Sequence, residues 1–199
     1  MPVEYGALAE PAATAVHAVG RLGGRKYERA IIFGAGAIGL LTLSVLREYA
    51  DSILVSDIDD ARLSTAMRLG ADGVLHSSLE DVAARALEIS GGKRFDLAVD
   101  AAGFSATRQQ GFSLLAPGGD FLFIALGDVK TEVDFMQLVT GEQRFFGTQC
   151  HTKEDFSLAL KMIADGRIDY PQLVKQMPLS KGVEAFQNPR LGIKLHILP

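Results

Sequence analysis

Three glycines stand at a spacing that suits a phosphate-binding turn. Gly34, Gly36 and Gly39 form the pattern G-x-G-x-x-G directly after the apolar run at residues 30–33. In such a turn the first glycine permits a tight bend, the second lets the backbone approach a pyrophosphate, and the third lets the next helix pack closely. The N-terminus of that helix adds unpaired N–H groups and a partial positive charge. The pattern therefore predicts a site for the phosphates of a dinucleotide, provided that a strand precedes it and a helix follows.

An acidic residue follows the glycines at the distance that dinucleotide recognition requires. Asp57 ends the apolar run at residues 53–56, about 20 residues beyond the turn. Its carboxylate would accept hydrogen bonds from the adenosine ribose hydroxyls and repel a 2′-phosphate, which favours NAD over NADP. An alternative is that Asp57 only caps the next helix, which is expected to start near Asp59. The spacing favours ribose binding, with Arg62 one helical turn further on.

Short apolar runs alternate with helical patterns around these residues. Strands are predicted at residues 30–33, 53–56, 74–75, 95–99, 121–125 and 144–148, and helices at residues 38–46, 60–69, 79–89, 107–115 and 155–164. Strands that alternate with helices of about ten residues pair in parallel through the helices. We therefore expect an α/β protein with a doubly wound, six-stranded, mostly parallel sheet, a Rossmann fold, that binds NAD across the carboxyl ends of its strands. Pro117, Gly118 and Gly119 are expected to end the fourth of these helices, and a short strand is predicted at residues 193–197.

Other ligands of the same fold can be tested against the sequence. A methyltransferase usually has an acidic residue in its first strand, and residues 30–33 have none. A short-chain dehydrogenase needs Tyr-x-x-x-Lys, but none of the four tyrosines has a lysine four residues later. A P-loop needs Gly-Lys-Ser/Thr, whereas Arg94 follows Gly92-Lys93. A nicotinamide dinucleotide remains the best ligand.

The composition excludes several further classes of protein. The chain has 199 residues, a formal net charge of -4, one Cys and 48% apolar residues. The apolar fraction is that of an ordinary globular chain. A single Cys excludes a disulfide framework and a multi-cysteine zinc site. The negative net charge makes nucleic acid an unexpected partner. Glycines interrupt the uncharged stretch between Arg29 and Arg47, so we read that stretch as strand, turn and buried helix rather than as a membrane span. With no signal-peptide pattern at the N-terminus, we expect a cytoplasmic protein.

Few other residues suggest chemistry. Cys150 and His151 are adjacent, and adjacent side chains of a strand point to opposite faces, so the pair is a poor chelate. His17 is expected to face a helix interior. Phe145 is predicted to lie in the core and Arg144 at the surface.

Motifs along nearly the whole chain resemble those of the zinc-dependent medium-chain dehydrogenases, in particular the sorbitol/polyol and threonine dehydrogenase branch. The stretches that carry the resemblance are Ala7-Leu8-Ala9-Glu10-Pro11, the glycine turn with Leu40-Leu41, Val55 to Leu63, Leu69-Gly70-Ala71-Asp72, Asp100-Ala101-Ala102-Gly103, Leu115-Ala116-Pro117-Gly118-Gly119 and Gly192-Ile193-Lys194. In combination these motifs are quite specific.

The resemblance implies a role for each matching position. The positions that would contact the dinucleotide are Gly34, Gly36, Ala37, Ile38 and Gly39 at the pyrophosphate, Asp57, Ile58, Arg62 and Ala102 around the adenosine, and Leu126, Thr148 and Cys150 beside the nicotinamide. Lys194 falls where members often place a cation near the phosphates. Glu10 falls where the polyol branch has an acidic group at or beside the catalytic zinc, although a helix N-terminus also favours an acid.

The resemblance covers only part of the family's fold. Members usually have an N-terminal catalytic domain with a Cys ligand and a Gly-His-Glu stretch for zinc, and this sequence has neither. Catalytic zinc keeps about three protein ligands, so this chain alone is not expected to bind the metal or to turn over substrate. We expect a remnant of the catalytic domain at residues 1–19, an NAD-binding domain at residues 20–155, and a C-terminal helix and strand at residues 156–199.

The implied function is cofactor binding for an alcohol or polyol dehydrogenase. In the complete enzyme, hydride passes between a secondary alcohol and NAD with the assistance of zinc. A free-standing NAD-binding or regulatory module without catalysis is the alternative. Family members associate by extending the sheet of the cofactor domain, so we expect a homodimer or tetramer formed through residues 121–135, and neither nucleic acid nor a membrane as a partner.

Overall fold

The computed structural model describes residues 3–188 and 192–199. Its main strands are β1 (Tyr27–Phe33), β2 (Ala50–Asp57), β3 (Gly73–His76), β4 (Phe95–Asp100), β5 (Leu115–Phe123) and β6 (Arg144–Gly147). They form one six-stranded sheet in the order β3-β2-β1-β4-β5-β6, and all neighbours are parallel. The strand order reverses between β1 and β4, which is the switch point of a doubly wound sheet. The predicted fold is confirmed.

Helices cover the sheet and continue into a C-terminal segment. They are α1 (Ala9–Gly20), α2 (Ala37–Leu46), α3 (Asp60–Arg68), α4 (Val82–Ile89), α5 (Ser105–Leu114), α6 (Phe135–Thr140), α7 (Lys153–Ala164), α8 (Tyr170–Leu173) and α9 (Gly182–Gln187). Two further strands, β7 (Val174–Pro178) and β8 (Lys194–Leu198), pair in parallel as a separate small sheet. Within the described ranges, no helix combines the length and the apolar character that crossing a membrane would require.

The sheet separates two apolar cores. On β1, Ala30 and Ile32 belong to the core that includes buried residues of α1, α2 and α7. The alternate residues Ile31 and Phe33 belong to the core under α4 and α5. Side chains of a strand alternate between its faces, so a strand that is apolar at every position is buried on both sides. This explains the continuous apolar runs in the sequence.

Side chains cap the starts of four helices, α3, α4, α6 and α7, but not the start of α2. Asp59 and Asp81 accept backbone N–H bonds at the starts of α3 and α4, and Thr152 and Asp155 form a capping box on α7. The N-cap of α2 is Gly36, which has no side chain to accept such bonds. The N–H groups of its first turn therefore face the carboxyl edge of the sheet without a side-chain cap.

Several sequence expectations need correction. α5 ends at Leu114, and Pro117, Gly118 and Gly119 lie inside β5 rather than closing the helix. The reason is an irregularity in the β4–β5 register, which accommodates Gly118 with its φ of +67°.

The side chain of Phe145, on β6, also lies in an unexpected place. Phe145 is exposed because β6 is an edge strand with part of one face uncovered. Arg144 is exposed, as predicted, and its guanidinium also pairs with the buried carboxylate of Asp120. The expected boundary between residues 155 and 156 falls inside α7, and the division into domains stays a prediction.

Candidate functional site

The glycine turn, residues 34–39, joins β1 to α2 at the carboxyl edge of the sheet. Gly34 has a φ of +101°, and a Cβ there would lie 2.9 Å from backbone atoms of Ala101 and Ala102. A Cβ on Gly39 would lie 1.8 Å from the Gly34 carbonyl oxygen. Both positions therefore need glycine for the backbone to pack. At Gly36 the situation is opposite, since no heavy atom of the described residues would come within 4 Å of an added Cβ.

This open position lies at the start of α2. The first four N–H groups of a helix have no partner inside the helix, and no side chain caps this one. Ala37 and Ile38, in its first turn, are half-buried. The turn and the helix start together provide backbone donors, a positive end of the helix dipole and room for an anion.

Asp57 is tied to the glycine turn by hydrogen bonds. Its Oδ2 accepts from the backbone N–H of Ala35 at 2.6 Å, and its Oδ1 accepts from Ile58 at 2.8 Å and Asp59 at 3.1 Å. The Arg62 guanidinium lies 3.9 Å from Oδ1. The alternative role as a cap is not met, because Asp59 supplies the N-cap of α3. A carboxylate has about four lone-pair positions, so Asp57 retains acceptor capacity for a ligand.

A cavity of about 230 Å³ lies beside Asp57 and the turn. It brings together eight predicted or matched positions, which are Gly34, Gly36, Ser56, Asp57, Ile58, Arg62, Ala101 and Ala102. Two exposed apolar side chains at its rim, Ile58 at 67% and Phe104 at 58% exposure, suit the faces of a flat ring.

Sequence reasoning missed Phe104 and Thr107, which also line this cavity. A usable signal existed for Phe104, because it is an aromatic residue directly after the Gly103 that follows β4. A second cavity of about 310 Å³ lies between α3 and the C-terminal segment and shares Arg62 with the first.

The predicted nicotinamide contacts lie apart from this cavity. Leu126 is 95% exposed in the loop between β5 and α6. Thr148 follows β6, and its N–H donates to the carbonyl oxygen of Phe123 at 3.2 Å. The Thr148 hydroxyl oxygen is buried and has no hydrogen-bond partner among the described residues. Cys150 is exposed and has a φ of +56°. Leu126 and Thr148 follow neighbouring strands, β5 and β6, at the carboxyl edge.

The remaining predicted positions lie elsewhere. Lys194 begins β8 in register with Val174 and is not among the residues that line the cavity at the glycine turn. Glu10 is exposed in the first turn of α1, where the helix dipole favours an acid.

His17 differs from its prediction. Rather than facing a helix interior, its Nδ1 lies 2.8 Å from Asp155 Oδ2 and links α1 to α7. Burial alone would raise the pKa of Asp155, but hydrogen bonds from Thr152 and from His17 hold that pKa below its ordinary value. Within residues 3–188 and 192–199, no three His, Cys, Asp or Glu side chains come together as a metal site. Catalytic zinc needs about three protein ligands, so the described residues alone do not fit it.

The sheet order, the glycine turn and the acid at the end of β2 define a dinucleotide-binding Rossmann domain. The chain belongs to a family described as zinc-binding dehydrogenase, whose model matches residues 37–165. The resemblance seen in the sequence is thereby confirmed, and the chain corresponds to the cofactor-binding part of that family.

Individual relatives agree with this assignment. The chain is 30% identical to sorbitol dehydrogenase from Bos taurus over 201 residues, which cover 98% of this chain and 56% of the relative. The 2R,3R-butanediol dehydrogenase from Bacillus subtilis has a TM-score of 0.86 at 26% identity, over 98% of this chain and 58% of that one. The chain thus spans little more than half the length of the relatives it matches.

Two more distant structures share the fold and contain cofactors. An alcohol dehydrogenase from E. coli CFT073 is complexed with NADH, with a TM-score of 0.86, 21% identity, and 98% and 58% coverage of the two chains. A protein from Sinorhizobium meliloti 1021 is bound to NADP, with a TM-score of 0.86, 23% identity, and 98% and 59% coverage. The same fold therefore accepts either dinucleotide.

Proposed function

We propose that this chain binds NAD at the carboxyl edge of its sheet and serves as the cofactor-binding part of an alcohol or polyol dehydrogenase. The observation that carries this proposal is the open position at Gly36 in front of the uncapped start of α2. An anion seated there would meet backbone N–H groups and the positive end of the helix dipole.

The contacts of the rest of the dinucleotide follow from this anchor. The pyrophosphate would lie against Gly34, Gly36, Ala37, Ile38 and Gly39, with Lys194 as a more distant cation. The adenosine would lie between Ile58 and Phe104, beside Ala102, with its ribose hydroxyls donating to Asp57. The nicotinamide would then extend toward Leu126, Thr148 and Cys150, where the buried Thr148 hydroxyl lacks a partner among the described residues.

The preference for NAD over NADP rests on Asp57. Its carboxylate is buried and accepts three backbone hydrogen bonds, so it is held in place beside the expected ribose. A 2′-phosphate there would meet a fixed negative charge, which Arg62 at 3.9 Å would only partly offset.

The activity we propose is hydride transfer between a secondary alcohol and NAD, as in a polyol dehydrogenase. Zinc would polarise the alcohol oxygen, but it needs more ligands than the described residues bring together. Glu10 would contribute at most one carboxylate to that site. No observation favours a module without catalysis over this function.

Association of two copies is a further part of the proposal. β6 is an edge strand, and Leu126, Val129 and Phe135, which precede it in the chain, are exposed. We propose a homodimer or tetramer that covers these side chains, and light scattering that shows only monomer at tens of micromolar would contradict it. A cytoplasmic location remains a prediction, which fractionation of cells would test.

Cofactor titration tests the central part of the proposal. Calorimetry of the purified chain should show NADH binding more tightly than NADPH by at least about tenfold, equivalent to 1.4 kcal/mol. In Asp57→Ser the affinity for NADPH should rise relative to that for NADH, because the negative charge that repels the 2′-phosphate is removed. Equal affinity for both cofactors in the wild-type protein would refute the assigned preference, and no binding of either would refute the proposed function.

A further inference from the structure

An ion pair between a buried aspartate and a partly buried arginine lies beside the candidate site. Asp100 ends β4 and is fully buried, and Arg108 on α5 donates from Nε to Asp100 Oδ2 at 2.8 Å. The other oxygen of Asp100 accepts from the N–H groups of Ala102 at 3.2 Å and Gly103 at 2.8 Å. Asp100 thereby fixes the loop between β4 and α5, residues 101–104, which lines the adenosine side of the cavity.

The guanidinium of Arg108 reaches beyond this loop. Its Nη1 donates to the carbonyl oxygen of Asp128 at 2.7 Å and to the Thr131 hydroxyl at 3.1 Å. Its Nη2 donates to the carbonyl oxygen of Gly103 at 3.3 Å. One side chain thus joins the 101–104 loop to the loop between β5 and α6, residues 124–134. An arginine can do this because its five donors form a rigid planar fork.

The two loops are also packed backbone to backbone. A Cβ on Gly127 would lie 2.3 Å from the Gly103 carbonyl oxygen, and a Cβ on Gly103 would lie 3.2 Å from the Gly127 nitrogen. Asp128 donates its N–H to the Gly103 carbonyl oxygen at 2.8 Å. Leu126, which precedes this contact, is therefore placed by the fit between the loops rather than by its own side chain, which is almost entirely exposed.

We propose that Arg108 is a positioning residue that holds the 124–134 loop against the 101–104 loop and so places Leu126 beside the nicotinamide half of NAD. This inference rests on the proposed function, since it names what supports one end of that site. Arg108 does not line the cavity at the glycine turn. Without it, the 101–104 loop keeps its two backbone hydrogen bonds to Asp100 and loses one, at the Gly103 carbonyl oxygen, whereas the 124–134 loop loses two.

The inference predicts an unequal effect on the two halves of the cofactor. Arg108→Met should weaken NADH binding by about tenfold, because misplacement by even 1 Å is costly in a fitted site. Binding of ADP-ribose, which lacks the nicotinamide, should change by less than about threefold, because the bonds from Ala102 and Gly103 to Asp100 still hold the 101–104 loop. The fluorescence of bound NADH should also shift toward that of the free cofactor, since its ring would be less enclosed.

The matched control lies at the other edge of the sheet. Arg144 also pairs with a fully buried aspartate, Asp120, but it begins β6 at the amino edge. Arg144→Met should lower stability while leaving the ratio of NADH to ADP-ribose affinity unchanged. Arg108→Lys guards against loss of folding, because lysine keeps a cation beside Asp100 but has no planar fork that could reach all four acceptors. It should show the same direction of effect as Arg108→Met.

The experiment is calorimetry of both ligands with the wild-type protein and the three variants. If the wild-type protein binds neither ligand, the proposed function fails and the inference falls with it. If it binds both, and Arg108→Lys and Arg108→Met weaken both ligands equally or neither, the inference alone is overturned. If Arg108→Met does not fold, the affinity ratio in Arg108→Lys decides.

Discussion

The two edges of the central sheet bury aspartates in different ways. At the amino edge, Asp120 accepts from the Tyr27 hydroxyl at 2.6 Å and from Arg144 at 2.7 and 2.8 Å. At the carboxyl edge, Asp57 and Asp100 accept mostly from backbone N–H groups of loops. The first arrangement joins strands to each other, and the second fixes loops around an open space.

This difference separates stability from ligand binding. Burial and the hydrogen bond to Asp120 raise the pKa of Tyr27, and the hydrogen bond to Asp120 raises the pKa of Arg144. At the amino edge, the hydrogen bonds of Tyr27 and Arg144 are thus made to Asp120 inside the protein. At the carboxyl edge, Gly36 has open space beside it and the start of α2 has no side-chain cap. Substitutions at the amino edge should therefore lower the free energy of unfolding, whereas substitutions at the carboxyl edge should lower the affinity for NADH.

The largest expected effect is at the amino edge. Asp120→Ala should lower the free energy of unfolding by about 3 kcal/mol, because it removes the acceptor that Tyr27 and Arg144 share. The affinity of the folded protein for NADH should not change. Urea unfolding and calorimetry measure the two quantities, with Asp51→Ala, an exposed aspartate on β2, as the control. A weaker NADH affinity in Asp120→Ala would contradict the claim that the amino edge contributes to stability but not to ligand binding.

Two glycines of the turn provide the next comparison. Gly39→Ala should cost about 2 kcal/mol of stability, because its Cβ would overlap the Gly34 carbonyl oxygen. Gly36→Ala should leave thermal unfolding almost unchanged, because its Cβ has room. Its NADH affinity should nevertheless fall, since that room is where the pyrophosphate would lie. Tight NADH binding by Gly36→Ala would show that the phosphates lie elsewhere.

Asp57 allows a test of the expected ribose contact. Asp57→Ala should weaken NADH binding by at least about tenfold, because hydrogen bonds to a charged group contribute about 1.5–3 kcal/mol. Asp59→Ala is the matched control, because it removes the cap of α3 and should cost only about 1 kcal/mol of stability. Calorimetry that finds the same NADH affinity in Asp57→Ala and the wild-type protein would refute the ribose contact.

The smallest effect concerns the link between α1 and α7. The pKa of Asp155 is lowered in the folded state, so its stabilising contribution is complete above the ordinary carboxyl pKa of about 3.9. That contribution is lost as the pH falls through the lower, folded-state pKa. Asp155→Asn should therefore be less stable than the wild-type protein by about 1 kcal/mol at pH 7, the usual value of a cap. At pH 2 to 3 urea unfolding should show a smaller difference, and an undiminished one would contradict the assignment.

Local patterns made part of this molecule predictable from its sequence. The glycine turn and Asp57 are set by short spacings, and the structure places both at one cavity. Phe104 escaped notice because its exposure depends on how β4 ends. The pairs Asp100–Arg108 and Asp120–Arg144 also escaped, because they depend on the shapes of neighbouring loops and strands rather than on a sequence pattern. Phe145 was assigned to the core because a run of apolar residues does not reveal which strand lies at an edge.

An NMR titration of the isotope-labelled chain with NADH tests the central claim most directly. We expect the backbone amide shifts to change at the glycine turn, at residues 57–62 and at residues 101–104. The amide shifts of Tyr27 and Arg144 at the amino edge should not change. Changes centred on the amino edge, or no changes at millimolar NADH, would contradict the assignment of the carboxyl edge as the cofactor site.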